Sequence, residues 1–159
     1  AQGFGLDIDH GDYPFVTSSH CTTASALLNG VPPQAIRNVW GVAKIYETYV
    51  GAKDFQPEDP IFGTIQTLGE EFGATTGRKR QCNWMDLKAL MKAVKINGVT
   101  DLVFNKMDVL EEVGEWKIYN GDHLMEFNDQ QHVKSWLTSY VNFSPGDINV
   151  YFSGNKDRI

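Results

Sequence analysis

Cysteine is scarce in this chain of 159 residues, which contains only Cys21 and Cys82. Two isolated cysteines are too few for a disulfide framework or for a cysteine-based metal cluster. We therefore predict two free thiols in a protein that works in a reducing compartment, with the cytoplasm as its location.

Long apolar runs and an excess of positive charge are also missing. No run approaches the roughly 20 apolar residues that a membrane-spanning helix requires, and the first residues do not follow a signal-peptide pattern. The formal net charge of −6 argues against a nucleic-acid-binding surface. We therefore expect neither a membrane nor a nucleic acid as a partner. A hydrophobic content of 42% allows one sizeable core, so residues 1–159 are predicted to form a single domain or a fragment of a larger one.

The order of helical and strand patterns predicts an α/β fold with a mixed sheet flanked by helices. The predicted helices cover Gln34 to Tyr49, Ile61 to Phe72, a segment that Asn83 caps and Asn97-Gly98 ends, and a segment that starts at Asp129. The predicted strands are one within Gln2 to Ser19, ahead of a structured loop, then Asp101 to Asn105, the hairpin Trp116 to Tyr119 and His123 to Phe127, and Ile148 to Phe152.

A polar segment, Asn105-Lys106-Met107-Asp108, ends the predicted strand that begins at Asp101. A carboxylate offers only acceptors, so Asp108 can receive both the ring N–H and the exocyclic amine of guanine. Adenine has no matching pair of donors. Lys106 lies two residues earlier on the same side of an extended chain, where its stem can lie along the base. The segment predicts a guanine site, although the same residues also suit an ordinary strand end with a solvated Lys and Asp.

Three cations stand together at Arg78-Lys79-Arg80, inside an otherwise acidic chain. They follow Ala74-Thr75-Thr76-Gly77, whose hydroxyls and backbone N–H groups can donate to a carboxylate. Arginine adds a fork of donors that suits carboxylate or phosphate. The run from Glu71 to Arg80 therefore predicts a site for a small anionic ligand, and a solvated basic turn is the other interpretation.

The run from Glu71 to Arg80 resembles the aspartate-binding loop of the adenylosuccinate synthetase family. The string from Leu6 to Ser19, which contains Tyr13-Pro14-Phe15-Val16-Thr17, is similar to a second motif of that family. Lys106-Met107-Asp108 falls where the family's guanine reader should be. The resemblance covers about residues 1 to 110 well and the remainder loosely.

Residue by residue, the resemblance implies three sets of ligand contacts. Aspartate is expected at Ala74, Thr75, Thr76, Gly77, Arg78, Lys79 and Arg80. IMP is expected at Gln2, Thr17 and Arg78. GTP is expected at Arg80, Lys106, Met107, Asp108, Ser153, Gly154 and Asn155.

The resemblance implies a GTP-dependent ligase that joins L-aspartate to IMP and yields adenylosuccinate, GDP and phosphate, with Mg²⁺ bridging the phosphates. The family's phosphate loop, catalytic Asp and His, and Mg²⁺ ligands belong to an N-terminal half that these residues do not contain. We therefore expect the C-terminal part of a P-loop-NTPase-like synthetase fold, without a catalytic residue or a metal ligand of its own and inactive in isolation. The family also implies a homodimer.

Two departures from the family pattern leave alternatives open. In the segment Tyr49 to Gln56, Tyr49 stands for an arginine and Lys53-Asp54 for Gly-Pro. This change leaves the purine acceptor open, and the alternative is a viral-type relative that joins aspartate to a guanine monophosphate with a different phosphate donor. The intact Lys106 and Asp108 reader argues for GTP as the donor. In Ser153-Gly154-Asn155 the glycine is displaced by one position, and Lys156 replaces a proline.

An alternative of another class is a non-catalytic guanine-nucleotide-binding module. The histidines do not decide between the classes. His10 lies between aspartates and is interpreted as a structural residue, whereas His20, His123 and His132 stand alone and are assigned no site.

Overall fold

The computed structural model of the chain describes residues 3–73, 77–143 and 147–154. Five residues that the sequence assigns to ligand sites lie outside this described part, namely Gln2, Ala74, Thr75, Thr76 and Asn155.

The described residues form seven strands and five α-helices, numbered in chain order. The strands are β1 (Trp40–Lys44), β2 (Tyr46–Tyr49), β3 (Gln81–Asp86), β4 (Asp101–Asn105), β5 (Trp116–Asn120), β6 (His123–Phe127) and β7 (Asn149–Phe152). The helices are α1 (Ala24–Leu28), α2 (Ile61–Leu68), α3 (Leu87–Asn97), α4 (Met107–Val113) and α5 (Gln130–Asn142). Two short 3₁₀ helices cover Phe4–Leu6 and Pro33–Ala35.

The strands are arranged in two sheets. A three-stranded parallel sheet has the order β1-β4-β7, with β4 at its centre. A four-stranded sheet has the order β2-β3-β5-β6, in which β3 and β5 are parallel and the other pairs are antiparallel. Helices α2, α3 and α5 pack against these strands, which confirms the predicted α/β class with mixed strand directions.

The core is built from one face of the parallel sheet, buried residues of the four-stranded sheet such as Tyr46, Trp84 and Ile118, and one face of each long helix. In β4, Leu102 and Phe104 point into this core and are at most 1% exposed. The helices add apolar residues at helical spacing, namely Phe62 and Ile65 from α2, Leu87, Met91 and Val94 from α3, and Val133, Leu137 and Val141 from α5. Each such buried side chain stabilises the fold by about 1.5–3 kcal/mol.

Within the described ranges, no helix combines the length and the apolar character needed to cross a bilayer.

Several predicted elements are confirmed because their signals are local. Strand β4 has the predicted bounds, and the hairpin of β5 and β6 turns at Asn120-Gly121-Asp122. Helix α5 follows Asp129, whose side chain accepts from His132 N at 2.8 Å. Helix α3 ends at Gly98, which has a φ of 61°.

The predicted helix from Gln34 to Tyr49 is wrong, since this segment contains β1 and β2. Trp40 belongs to the apolar stripe that a helix would bury, yet its side chain is 56% exposed. β1 pairs in parallel with β4, and β2 pairs antiparallel with β3. These partners lie far along the chain, so the local pattern of apolar residues does not reveal them.

Three smaller predictions are also wrong. The opening segment forms a 3₁₀ helix and a structured loop, with no strand among its described residues. Helix α2 ends at Leu68 rather than Phe72, because Gly69 and Glu70, the latter at a φ of 51°, turn the chain out of the helix. Asn83 lies inside β3, and the cap of α3 is Asp86, which accepts from Lys88 N at 2.8 Å and Ala89 N at 3.2 Å.

Candidate functional site

The candidate site lies at one edge of the parallel sheet, where its three strands end at their carboxyl termini. We call this the carboxyl edge; its last strand residues are Lys44, Asn105 and Phe152. In open α/β sheets, ligands bind in the crevice outside the carboxyl ends of the strands. The chain continues from β4 into Lys106 and from β7 into Ser153, so two predicted ligand segments start at this edge.

The two segments predicted to hold GTP are in direct contact at the carboxyl edge. Met107 N donates to Ser153 O at 3.2 Å, and Ser153 N donates to Phe104 O at 2.8 Å. Gly154 packs against Asp108 so closely that a Cβ at Gly154 would lie 3.3 Å from Asp108 Cβ and Asp108 N. Any larger residue at this position would therefore press on the Cβ and the backbone N of Asp108. The structure thus brings Lys106, Met107, Asp108, Ser153 and Gly154 together.

Their conformation differs from the extended one that the sequence predicts. Lys106 has a φ of 63° and precedes α4, whereas Asp108 lies in the first turn of that helix. Lys106 Nζ donates to Gly69 O at 2.9 Å. The Asp108 side chain is exposed. Met107 is 2% exposed and packs in the core, so its side chain is not presented to a ligand.

Asn105 carries an unsatisfied atom at the same edge. Its Oδ1 is buried and has no hydrogen-bond partner, and it is the one such side-chain atom in the described part of the chain. Its backbone oxygen is satisfied by Ile45 N at 3.0 Å. A buried acceptor left without a donor costs about 1–3 kcal/mol.

The basic loop that connects Glu71 to Arg80 is closed by backbone hydrogen bonds. Phe72 and Lys79 form an antiparallel bridge, and Arg80 N donates to Glu71 O at 3.0 Å. Nearer the tip, Gly73 N donates to Arg78 O at 2.8 Å, and Gly77 N donates to Gly73 O at 2.8 Å. Arg78, Lys79 and Gly77 are exposed. The structure therefore holds Arg78 and Lys79 exposed, on a segment that backbone hydrogen bonds close at its base.

Glu71 forms a buried ionic cluster below this loop. Its two carboxylate oxygens each lie 2.7 Å from Lys44 Nζ. Tyr46 Oη donates to Oε1 at 2.8 Å, and Arg80 Nη1 donates to Oε2 at 3.0 Å. Glu71 is 1% exposed, so the cluster lies in a region of low dielectric between the carboxyl edge and the loop.

The cluster changes the pKa values of its members. Burial tends to raise the pKa of Glu71, but the hydrogen bonds from Lys44 and Tyr46 and the positive charges of Lys44 and Arg80 outweigh it, so this pKa lies below its usual range. Burial lowers the pKa of Lys44, and the contact with Glu71 opposes that effect. Desolvation raises the pKa of the Cys82 thiol to about 12, consistent with a structural thiol rather than a reactive one.

Thr17, predicted to contact IMP, lies in the structured loop near the start of the chain. Its Oγ1 donates to Leu6 O at 3.0 Å and also contacts Ser19 and Cys21. Among the described residues, none of these partners lies at the carboxyl edge. The structure therefore does not bring Thr17 into direct contact with the segments predicted to hold GTP.

The structure fits the interpretation of His10 but not that of His20. His10 stacks on Phe4 with ring centroids 5.8 Å apart, which fits its structural interpretation. His20 does not stand alone, since its Nδ1 lies 3.4 Å from Asp9 Oδ2 and it groups with Asp7 and Asp9. Asp7 is buried and its carboxylate accepts from the backbone N–H groups of Asp9, His10 and Cys21. Those donors already occupy the Asp7 oxygens and lower its pKa, so we assign the group a structural role in the loop.

The segment from Tyr49 to Gln56, which departs from the family pattern, is held by Gln81. Gln81 Oε1 accepts from the backbone N–H groups of Phe55 and Gln56, and its Nε2 donates to Lys53 O at 2.7 Å. The Tyr49 and Phe55 rings pack with centroids 5.7 Å apart.

Sequence reasoning missed Lys44, Tyr46 and Glu71 as parts of the site. Lys44 and Tyr46 were not recognised as site residues because their segment was predicted to be a helix. Glu71 begins the run that ends in the three cations, but it lies well before Arg78 in the sequence, and no local spacing pairs its carboxylate with Lys44 or Arg80.

Comparisons with known proteins indicate one family. The family model described as adenylosuccinate synthetase matches residues 1–143. The adenylosuccinate synthetase of Oleidesulfovibrio alaskensis is 42% identical over 154 residues, and the match covers 92% of this chain and 36% of that protein. The one from Yarrowia lipolytica is 40% identical with the same coverage. The chain thus spans about a third of the length of these curated relatives.

Two solved structures are similar in fold. The fully ligated adenylosuccinate synthetase from Plasmodium falciparum has a TM-score of 0.71 and 31% identity, and the match covers 81% of this chain and 32% of that chain. The succinoaminodeoxyadenylate synthetase of cyanophage S-2L, bound to dGMP and to dATP as an energy donor, has a TM-score of 0.56 over 88% of this chain and 48% of that one. Its identity of 19% shows the fold alone.

Proposed function

The chain belongs to the adenylosuccinate synthetase family, and from that premise we propose that it supplies the guanine-reading and aspartate-holding part of a GTP-dependent ligase. The reaction joins L-aspartate to IMP and gives adenylosuccinate, GDP and phosphate. The observation that carries the proposal is the contact of Lys106-Met107-Asp108 with Ser153-Gly154 at the carboxyl edge.

In this proposal, Asp108 selects the base of the nucleotide. Its exposed carboxylate receives the ring N–H and the exocyclic amine of guanine, and Gly154 leaves the room beside it that a side chain would fill. Lys106 provides an aliphatic stem beside the base, and Ser153 and Asn155 complete the pocket. An adenine nucleotide would leave the carboxylate without its donors, so the discrimination between GTP and ATP is expected to be large.

The loop from Glu71 to Arg80 holds the anionic groups of the substrates. Ala74, Thr75, Thr76, Gly77, Arg78, Lys79 and Arg80 form the aspartate site that the family resemblance assigns. Arg78 also reaches IMP, together with Gln2 and Thr17, and Arg80 reaches GTP. The exposed Arg78 and the half-buried Arg80 suit carboxylate and phosphate because the N–H donors of a guanidinium form a planar fork.

The chemistry has two steps. The γ-phosphoryl group of GTP is transferred to the purine 6-oxygen of IMP, which leaves GDP and turns that oxygen into a good leaving group. The aspartate amine then attacks C6, the C–O bond breaks and phosphate departs. This chain contributes positioning and electrostatic stabilisation to both steps. Bound Mg²⁺ would neutralise charge on the phosphates, and we propose no ligand for it in this chain.

The test is a turnover assay with the full-length protein that carries this chain. Adenylosuccinate formation is expected with GTP, IMP and aspartate, and loss of most of that rate when ATP replaces GTP. Asp108→Ala removes two charge-assisted hydrogen bonds and is expected to raise the KM for GTP by about 30-fold or more. The matched control is Glu112→Ala, which removes an exposed carboxylate from the same helix, four positions later.

Two outcomes of this assay would replace the proposal. Turnover with dGMP but not with IMP would establish the guanine monophosphate acceptor that the altered Tyr49 to Gln56 segment leaves open. GDP binding without any ligation by the full-length protein would establish the non-catalytic binding module. On the family resemblance we extend the proposal to a homodimer, and on the free thiols Cys21 and Cys82 to a cytoplasmic enzyme. Sedimentation of the full-length protein tests the dimer.

A further inference from the structure

Glu71 is a buried carboxylate to which the proposed function gives no role. It is 1% exposed, yet it carries a charge and contacts two cations, Lys44 and Arg80. Burying a carboxylate costs several kcal/mol unless its partners have good geometry. The Glu71 side chain has such partners, with donor distances of 2.7 Å to Lys44, 2.8 Å to Tyr46 and 3.0 Å to Arg80.

The carboxylate is not needed to close the basic loop. The backbone N–H of Arg80 donates to Glu71 O at 3.0 Å, and Glu71 N donates to Gln66 O at 2.9 Å. Gln66 Nε2 also donates to Arg80 O at 2.6 Å. Together with the bridge between Phe72 and Lys79, these bonds hold the base of the loop. The Glu71 side chain is therefore available for a different task.

That task concerns the side chain of Arg80. The guanidinium of Arg80 uses Nη1 to contact Glu71 Oε2, and the side chain remains 34% exposed. Guanidinium has five N–H donors in a rigid plane, so fixing one corner also sets the direction of the others. The same turn of the chain is tied to the guanine reader, because Lys106 Nζ donates to Gly69 O at 2.9 Å, two residues before Glu71.

We infer that Glu71 is a positioning residue for the nucleotide, because its carboxylate fixes the Arg80 guanidinium beside the guanine-reading segment. The inference rests on the proposed function, in which Arg80 contacts GTP. Lys44 and Tyr46 also donate to this carboxylate and hold it in place. Without the carboxylate, the Arg80 side chain would sample several rotamers, and GTP binding would include the cost of ordering it.

The experiment measures GTP binding and steady-state kinetics with the full-length protein. Glu71→Gln keeps the size of the side chain and removes its charge. We expect the Kd for GTP, measured by calorimetry without IMP, to rise about tenfold, with the KM for aspartate changed by less than about twofold. Arg80→Ala should weaken GTP binding by a similar factor. In the Arg80→Ala background, Glu71→Gln should then have no further effect on that Kd.

The matched control is Glu70→Gln, which makes the same change at the neighbouring, exposed position and should leave the Kd for GTP unaltered. Thermal unfolding establishes that each variant is folded. If Glu71→Gln does not fold, Glu71→Asp carries the test, because it keeps the charge and withdraws the carboxylate from Arg80 by one methylene.

Three results would overturn the inference. Equal rises in the Kd for GTP and the KM for aspartate would show that Glu71 stabilises the loop in general. Additive effects of Glu71→Gln and Arg80→Ala on the Kd would show that Glu71 does not act through Arg80. A wild type that binds GTP but forms no adenylosuccinate would contradict the proposed reaction and leave the Kd comparison valid. A wild type that binds no GTP would overturn both.

Discussion

At the scale of single residues, buried polar groups lie close to the carboxyl edge. The Glu71 carboxylate accepts from three side chains, whereas Asn105 Oδ1 accepts from none in the described part of the chain. Buried polar groups stabilise a fold only when they are paired. The two residues should therefore respond to substitution in opposite directions.

Glu71 should make stability depend on pH. The pKa of its folded carboxyl lies below the reference value of 4.5, so the unfolded chain binds more protons in that range. The stabilisation is thus fully present above about pH 4.5 and is lost as pH falls through the lower, folded pKa. In urea unfolding, Glu71→Gln should cost about 2 kcal/mol at neutral pH, and the difference from wild type should shrink as pH falls below about 4.5. A difference that is constant over this pH range would contradict the prediction, and Glu70→Gln is the control.

Asn105→Leu should not destabilise the fold. The substitution removes an acceptor that has no partner and fills the same space with apolar atoms, so we expect the free energy of unfolding to rise by about 1 kcal/mol. Asn83 is a matched control, because it also lies in a strand, its Nδ2 donates to Phe55 O at 3.1 Å and its Oδ1 accepts from Trp84 N at 2.8 Å. Asn83→Leu should cost about 2 kcal/mol. Equal losses in the two variants would show that Asn105 Oδ1 is satisfied in solution.

At the scale of elements, the sequence predicted those structures whose signals lie within a few residues. Asp129 caps α5, Gly98 ends α3, and Asn120-Gly121-Asp122 turns the hairpin, as expected. β1 was missed because its partner β4 lies about sixty positions along the chain, as the pairing of Trp40 with Asp101 shows. Backbone pairing over such a separation overrides a helical pattern of apolar residues.

The residues of the candidate site also fall into those that the sequence predicted and those that it did not. A resemblance between linear motifs was enough to name Asp108 and Gly154, and the structure places them in contact. The ionic cluster joins Lys44 to Glu71, which come from different elements, and neither residue belongs to a predicted ligand set. Only the folded arrangement of β1 and the loop base brings them together.

Two glycines at helical elements should respond oppositely to alanine. Gly98 ends α3 at a φ of 61°, and a Cβ added there would meet no atom within 4 Å, so Gly98→Ala should cost about 1 kcal/mol through backbone strain alone. Gly63 lies inside α2 and is equally open, so Gly63→Ala should stabilise by about 0.5–1 kcal/mol. Chemical denaturation measures the free energy of unfolding of both variants against wild type. A stabilising Gly98→Ala would show that α3 ends differently in solution.

At the scale of the whole molecule, the two faces of the parallel sheet differ. One face carries Leu102 and Phe104 into the core. The opposite face presents Trp40, Val42 and Tyr151, which are 56%, 66% and 42% exposed. The Trp40 and Tyr151 rings stack at a centroid distance of 5.3 Å. Parallel sheets are almost always covered on both faces, so this apolar surface is unusual for a folded chain.

This apolar face should make the polypeptide of 159 residues associate with itself. Contiguous exposed apolar surface promotes contacts between molecules, and β1 is also an edge strand of the sheet. In sedimentation velocity, we expect the mean mass to rise above 17.8 kDa as concentration increases. Val42→Lys should restore the monomer mass, because it places a charge on the apolar face in the middle of the edge strand β1. Leu28→Lys, at a residue 69% exposed in α1, is the control and should leave the association intact. A wild type that stays monomeric at every concentration would contradict the prediction and show that the exposed Trp40, Val42 and Tyr151 do not drive association.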